Sequence, residues 1–141
     1  MRVGEVMQRE VVTVSPDETV ETATRRMREA NVGFLPVCGP DGRPLGILTD
    51  RDVAIRLVAE RRPGYLPVRA IMTYAVVACR PRESVSDAER LMAAHHVTRL
   101  LCTDARGRLQ GVLSRADIAA HRRRALRTRP PITEPAPTTL H

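Results

Sequence analysis

Hydrophobic and polar positions along the chain follow one pattern that occurs twice. VVTV (11–14) and VVAC (76–79) are short β-branched runs, each closed by a proline two residues on, and predict strands. Val20, Ala23, Met27 and Ala30 then recur at helical spacing, as do Val85, Ala88, Met92 and His95, predicting amphipathic helices. Ser15 and Glu18 stand at capping-box spacing ahead of the first of them. FLPVC (34–38) and LGIL (45–48) flank GPDG with its Pro-Asp-Gly turn, and RLLCT and LQGVL flank DARG, so each pair predicts a β-hairpin. DRDVAIRLVAE and RADIAAHRRR read as helices, and a short apolar turn ending in Met7 or Met72 precedes each copy.

A shift of 65 residues superposes 3–54 on 68–119 without a gap. The identities fall on turn and core positions, among them Met7/Met72, Pro16/Pro81, Met27/Met92, Gly42/Gly107, Gly46/Gly111 and Asp52/Asp117. The fold class expected is α/β: two tandem β-α-β-β-α units. The first covers 1–62 with its N-terminal lead-in, 63–67 is a connector whose Pro-Gly pair breaks the helix, and 68–124 is the second. Residues 125–141, rich in Arg and Pro and poor in aliphatics, are expected not to fold. A unit of roughly 55 residues is near the lower limit for burying its own core, so the two should pack together with pseudo-two-fold symmetry. Such a seam offers two related clefts.

Composition changes this picture little. The core must be aliphatic, since Phe34, Tyr65 and Tyr74 are the only aromatics. The formal charge of +7 invites nucleic acid, but residues 122–141 hold five Arg against one acid, so much of the excess is on the tail. Without aromatics nearby, that tail has little support for stacking on single strands. Cys38, Cys79 and Cys102 form no C-x-x-C pair, which argues against a disulfide framework or a thiolate metal site and fits a reducing compartment. Neither a membrane span nor a secretory leader is evident, and a cytoplasmic location is expected. His95 and His96 are adjacent, hence about 100° apart on a helix, and cannot chelate as an i, i+4 pair would. No convergent catalytic set is present; an enzyme is not expected, nor a metal site.

GILTDRD (46–52) and GVLSRAD (111–117) carry the candidate chemistry. T-x-x-D and S-x-x-D suit a capping box, a purely structural role. They also suit a ligand: a helix N-terminus accepts phosphate, and an Asp one turn in, which only accepts hydrogen bonds, suits sugar hydroxyls. Gly46 and Gly111, inside strands, would allow close backbone approach to that ligand. On the residues alone both readings stand.

With these residues on the page, 1–121 resembles a tandem pair of CBS domains, also called a Bateman module. The doubled unit, VMQREVVTVSPDETV and IMTYAVVACRPRESV at the starts, NVGFLPV and HVTRLLC at the second strand, and the two closing heptapeptides carry the likeness in register. The resemblance implies a regulatory module that binds AMP, ADP, ATP or S-adenosylmethionine between its units. Asp52 and Asp117 would hold ribose, with Thr49 and Ser114 on phosphate. It also implies a disc-like homodimer and an effector protein that reads the ligand. Arg99 matches a basic position of phosphate-binding members and Arg115 adds a second cation, whereas the first copy has Phe34 and Asp50 there. The Ser114/Asp117 cleft is therefore expected to be the better nucleotide site. Val32 and Val97 are candidates for the purine wall, with core packing as the alternative. The competing functional readings are a ligand-free interaction scaffold in which both boxes merely cap helices, and nucleic-acid binding through the Arg-rich tail.

Overall fold

In a computed structural model of the chain, residues 1–127 are described. The expected non-folding tail lies almost wholly outside them; of it, 125–127 extend the last helix. The first unit contains α2 (Val20–Ala30), β1 (Phe34–Cys38), β2 (Pro44–Thr49) and α3 (Asp50–Asp52), which runs on into a π-helical segment, Val53–Val58. The second contains β3 (Ala78–Cys79), α4 (Val85–His95), β4 (Arg99–Thr103), β5 (Leu109–Ser114) and α5 (Arg115–Arg127). A one-turn helix α1 (Val3–Val6) and a 3₁₀ turn (Val68–Ala70) form the two lead-ins. The mixed α/β class and the doubled unit are as the sequence indicates.

β1 and β2 pair antiparallel, as do β4 and β5, and both hairpins shift register at the equivalent step, Val37/Cys38 and Cys102/Thr103. Their turns place Gly42 and Gly107 at φ 80° and 79°, a conformation that a side chain makes costly. The first expected strand, VVTV, contracts to one parallel bridge, Val14 to Val37, and its counterpart to the two residues of β3. Only one or two peptides at that point face a neighbouring edge, so the β-branched run has no longer ladder to join. The expected Ser15/Glu18 box is likewise displaced. Ser15 Oγ accepts from Asp17 N–H in a local turn, while Thr19 caps α2 by accepting from Thr22 N–H. Val20 and Glu21 N–H donate instead to the connector carbonyls of Leu66 and Gly64. Tertiary contact thus satisfies the helix start one turn later than local spacing suggests.

The cores reveal an exchange that the repeat boundaries hide. Val3, Val6 and Met7 are buried with Val85, Met92, Leu100, Leu113 and Ile118 of the second unit. Val68, Ile71 and Met72 are buried with Val20, Met27, Leu35 and Leu48 of the first. Each lead-in therefore completes the other unit's core, although it precedes its own unit in the chain. Backbone bonds follow the same crossing: Gln8 exchanges two with Val112, at 2.8 and 2.9 Å, and Thr73 exchanges two with Ile47, at 2.9 Å each.

Glycine makes the crossing possible. A Cβ on Gly46 would lie 2.2 Å from the Thr73 carbonyl oxygen, and one on Gly111 would lie 2.5 Å from that of Gln8. These glycines admit the lead-in backbone, not a ligand as expected from the motif, because the partner segment fills that space first.

Cys79 and Cys102 sit opposite each other in β3 and β4 with their Sγ atoms 3.8 Å apart in the second core. Their hydrogen bond and burial push the Cys102 thiol up, and burial, followed by the nearby Asp41 carboxylate, pushes up the half-buried Cys38. Raised thiols carry less thiolate at neutral pH. Iodoacetamide at pH 7.5 should accordingly modify Cys38 slowly, faster as pH climbs past the usual thiol range, and should leave Cys79 and Cys102 intact until denaturant is added because both are buried. Mass spectrometry of the alkylated protein reads this directly, and rapid native labelling of Cys102 would contradict it.

Candidate functional site

Both heptapeptides end a strand and open a helix, so hydroxyl and carboxylate lie on the first turn at the seam. Thr49 Oγ1 accepts from Asp52 N–H and Ser114 Oγ accepts from Asp117 N–H, each at 3.0 Å. There the likeness stops. The Asp52 carboxylate folds back to accept from Thr49 N–H at 3.0 Å, completing a capping box. It also accepts from the Thr73 hydroxyl at 3.1 and 3.2 Å and has Arg56 Nε 3.7 Å away. Asp52 is the one buried charged residue among those described, at 7% exposure. Asp117 is half-buried, and its carboxylate accepts from the Gln8 side-chain amide, at 3.3 Å.

The Asp117 carboxylate opens into a seam cleft of about 420 Å³, within the range of small-molecule sites. Ser114, Asp117, Arg99 and Val112 form one wall; Val32 and Phe34 of the first unit face them, with Gln8, Glu10, Val11 and Val12 of the crossed lead-in along the side. Phe34 and Arg99 are repeat equivalents, and they meet across the seam with the guanidinium carbon 5.4 Å from the ring centroid. That stacking contributes roughly 0.5–1 kcal/mol at an exposed site and holds the cation over the cleft.

The sequence model of the CBS domain family matches residues 3–59 and 68–124. The chain belongs to the CBS domain family. It is 39% identical to the CBS domain-containing protein YhcV of Bacillus subtilis (strain 168) over 119 residues, 84% of each chain. Among solved structures, it resembles Hypoxic Response Protein I with two coordinated zinc ions (30% identity, TM-score 0.78, 86% of this chain and 98% of that one). It also resembles CBSX2 in complex with AMP (25% identity, TM-score 0.76, 89% and 98%).

Within this CBS pair, the sequence-derived site residues divide. Val32, Arg99, Ser114 and Asp117 converge on one cleft. Arg115 and Val97 line a separate groove on the helical side, with Glu89, Met92 and His96. Arg115 follows Ser114 by one residue and leaves the first turn in another direction, away from the seam cleft. Thr49 and Asp52 are joined to each other, and Asp52 to Thr73. Gln8, Phe34 and Glu10 line the cleft without having been singled out as ligand contacts. For Phe34 the signal was available: it occupies the repeat position of Arg99, and equivalent residues near a pseudo-two-fold axis meet. Gln8 carried no such signal, since it lies 109 residues from the carboxylate it touches.

A further seam cleft, about 460 Å³, is lined by Arg9, Ser15, Glu18, Arg26 and Cys38. Its Arg26 is committed to Glu18 and to the Thr13 carbonyl. Among the described residues no group of three or more His, Cys, Asp or Glu is placed to hold a metal ion, and no helix is long and apolar enough to cross a membrane.

Proposed function

We propose that this CBS pair is a regulatory sensor that binds an adenosine nucleotide in the Asp117 cleft and passes the bound state to an effector protein in the cytoplasm. The carrying observation is the contrast between two copies of one motif: Asp117 keeps acceptor capacity facing a seam cleft, while Asp52 has spent its own. In this reading Asp117 accepts from the ribose hydroxyls, Ser114 and the first-turn N–H groups face the phosphate, Arg99 adds charge, and Val32 packs on the base. The resemblance to an AMP-bound protein of the same fold supports the ligand class.

Charge narrows the choice. Among the described residues Arg99 is the one cation lining the cleft, against the carboxylates of Asp117 and Glu10, so a monophosphate suits it better than a triphosphate. The ligand spans both units, touching 30–34 of one and β5 of the other, and so can bias their relative angle. A homodimer of two such modules would carry that bias to a partner. The scaffold reading keeps a foothold at Asp52, whose capping box is complete.

A thermal-shift panel of AMP, ADP, ATP, S-adenosylmethionine and NAD tests this. AMP at about 100 times its Kd should stabilise the fold by about 2.7 kcal/mol, a rise of several degrees in Tm, with ATP giving less. No shift with any adenosine compound at millimolar concentration would leave the scaffold reading in its place.

A further inference from the structure

We propose that the chain holds one nucleoside and not two, and that Thr73 and Arg56 are the residues that withdraw the Asp52 site from use. This rests on the binding reading given above.

The lock is built from positions that the repeat makes directly comparable. Thr73 is the counterpart of Gln8, and Arg56 of His121, by the same 65-residue shift. At the open site the crossed lead-in presents a long amide 3.3 Å from Asp117, exposed to solvent. At the closed site it presents a short hydroxyl that reaches both oxygens of Asp52. Arg56 seals the arrangement from the helix side. Its Nη1 donates to the carbonyls of Ile71 and Met72, at 3.2 and 3.0 Å, while its Nε lies beside Asp52. Arg56 leaves the π-helical segment Val53–Val58, whereas His121 leaves the regular helix α5. One guanidinium thus ties the helix to the lead-in that carries Thr73.

A sugar approaching Asp52 would have to displace the Thr49 N–H, the Thr73 hydroxyl and Arg56, leaving donors that were satisfied without an acceptor. Breaking such contacts cancels what two ribose hydrogen bonds return. At Asp117 only the exposed Gln8 amide must swing aside. The two clefts therefore differ through residues outside the shared motif, and the module reports on a single ligand.

Exchanging the lock residues between units tests this. Titration calorimetry with AMP and with uncharged adenosine counts the sites. Wild type should bind one equivalent. Thr73→Gln/Arg56→His, copying the open site into the closed one, should bind a second equivalent of adenosine. The converse, Gln8→Thr/His121→Arg, should weaken AMP binding at the Asp117 site by at least about tenfold. Two equivalents on wild type, or no added site in the first variant, overturns the lock. If wild type binds no adenosine compound but the first variant gains a site, the lock stands and the sensor reading falls. Should the first variant fail to melt cooperatively, the converse variant decides, and unchanged AMP affinity there overturns the proposal.

Discussion

Asp117→Ala is expected to lower AMP affinity roughly a hundredfold, while Asp52→Ala should change it by less than about twofold. Hydrogen bonds to a charged acceptor are each worth about 1.5–3 kcal/mol, and a ribose diol offers two to Asp117. Losing them costs about 3 kcal/mol or more, and each 1.4 kcal/mol is about tenfold in Kd. The same truncation at Asp52 should register in the melt instead. Thr49 N–H, the Thr73 hydroxyl and Arg56 would lose a shared acceptor in a nearly buried place, costing about 1–3 kcal/mol of stability. Calorimetry and thermal denaturation on the two variants separate these effects. Equal loss of affinity from both would contradict the division of roles between the clefts.

Removing residues 1–8 should unfold the second unit, although by sequence order they belong to the first. Val3, Val6 and Met7 are buried in the core built by α4, β4, β5 and α5. Burying such a side chain contributes about 1.5–3 kcal/mol each, as an upper estimate for an already compact unfolded chain. The segment also supplies backbone bonds from Val3 to Glu83 and Gly4 to Pro81, accepts one from Val85 at Met1, and pairs Gln8 with Val112. The combined loss, about 5 kcal/mol or more, matches the whole net stability of a small domain. Heteronuclear NMR of the truncated chain should show collapse of dispersion for residues of the second unit, with AMP binding abolished. The first core contains no side chain from 1–8 and should lose far less. A truncated chain melting within about 5 °C of the full one would show that the exchange of lead-ins carries little of the stability.

Local features of the fold were legible wherever they are decided by neighbours a few residues away. Both hairpins follow from turn residues set between alternating strands, and Gly42 and Gly107 stand at the positive φ that their turns demand. Asn31 and His96, at equivalent places, both take the left-handed conformation that ends α2 and α4, with φ 54°. What misled was local spacing that fits more than one register. Ser15-x-x-Glu18 and Thr19-x-x-Thr22 both look like helix starts, and the connector carbonyls that receive the first N–H groups of α2 select the second.

The sequence by itself determined that one unit is used twice, where its turns fall, and which hydroxyl and which carboxylate sit on the first turn after each hairpin. Those outcomes depend on short-range sterics and on hydrophobic periodicity, which are encoded residue by residue. Tertiary structure alone decided which carboxylate remains available. Asp52 and Asp117 occupy the same letter of the same motif, and each meets a lead-in that arrives from the other half of the chain, Thr73 in one case and Gln8 in the other. A hydrogen bond made across such a crossing leaves no trace in the spacing of either segment, because its geometry exists only once two cores have exchanged their ends.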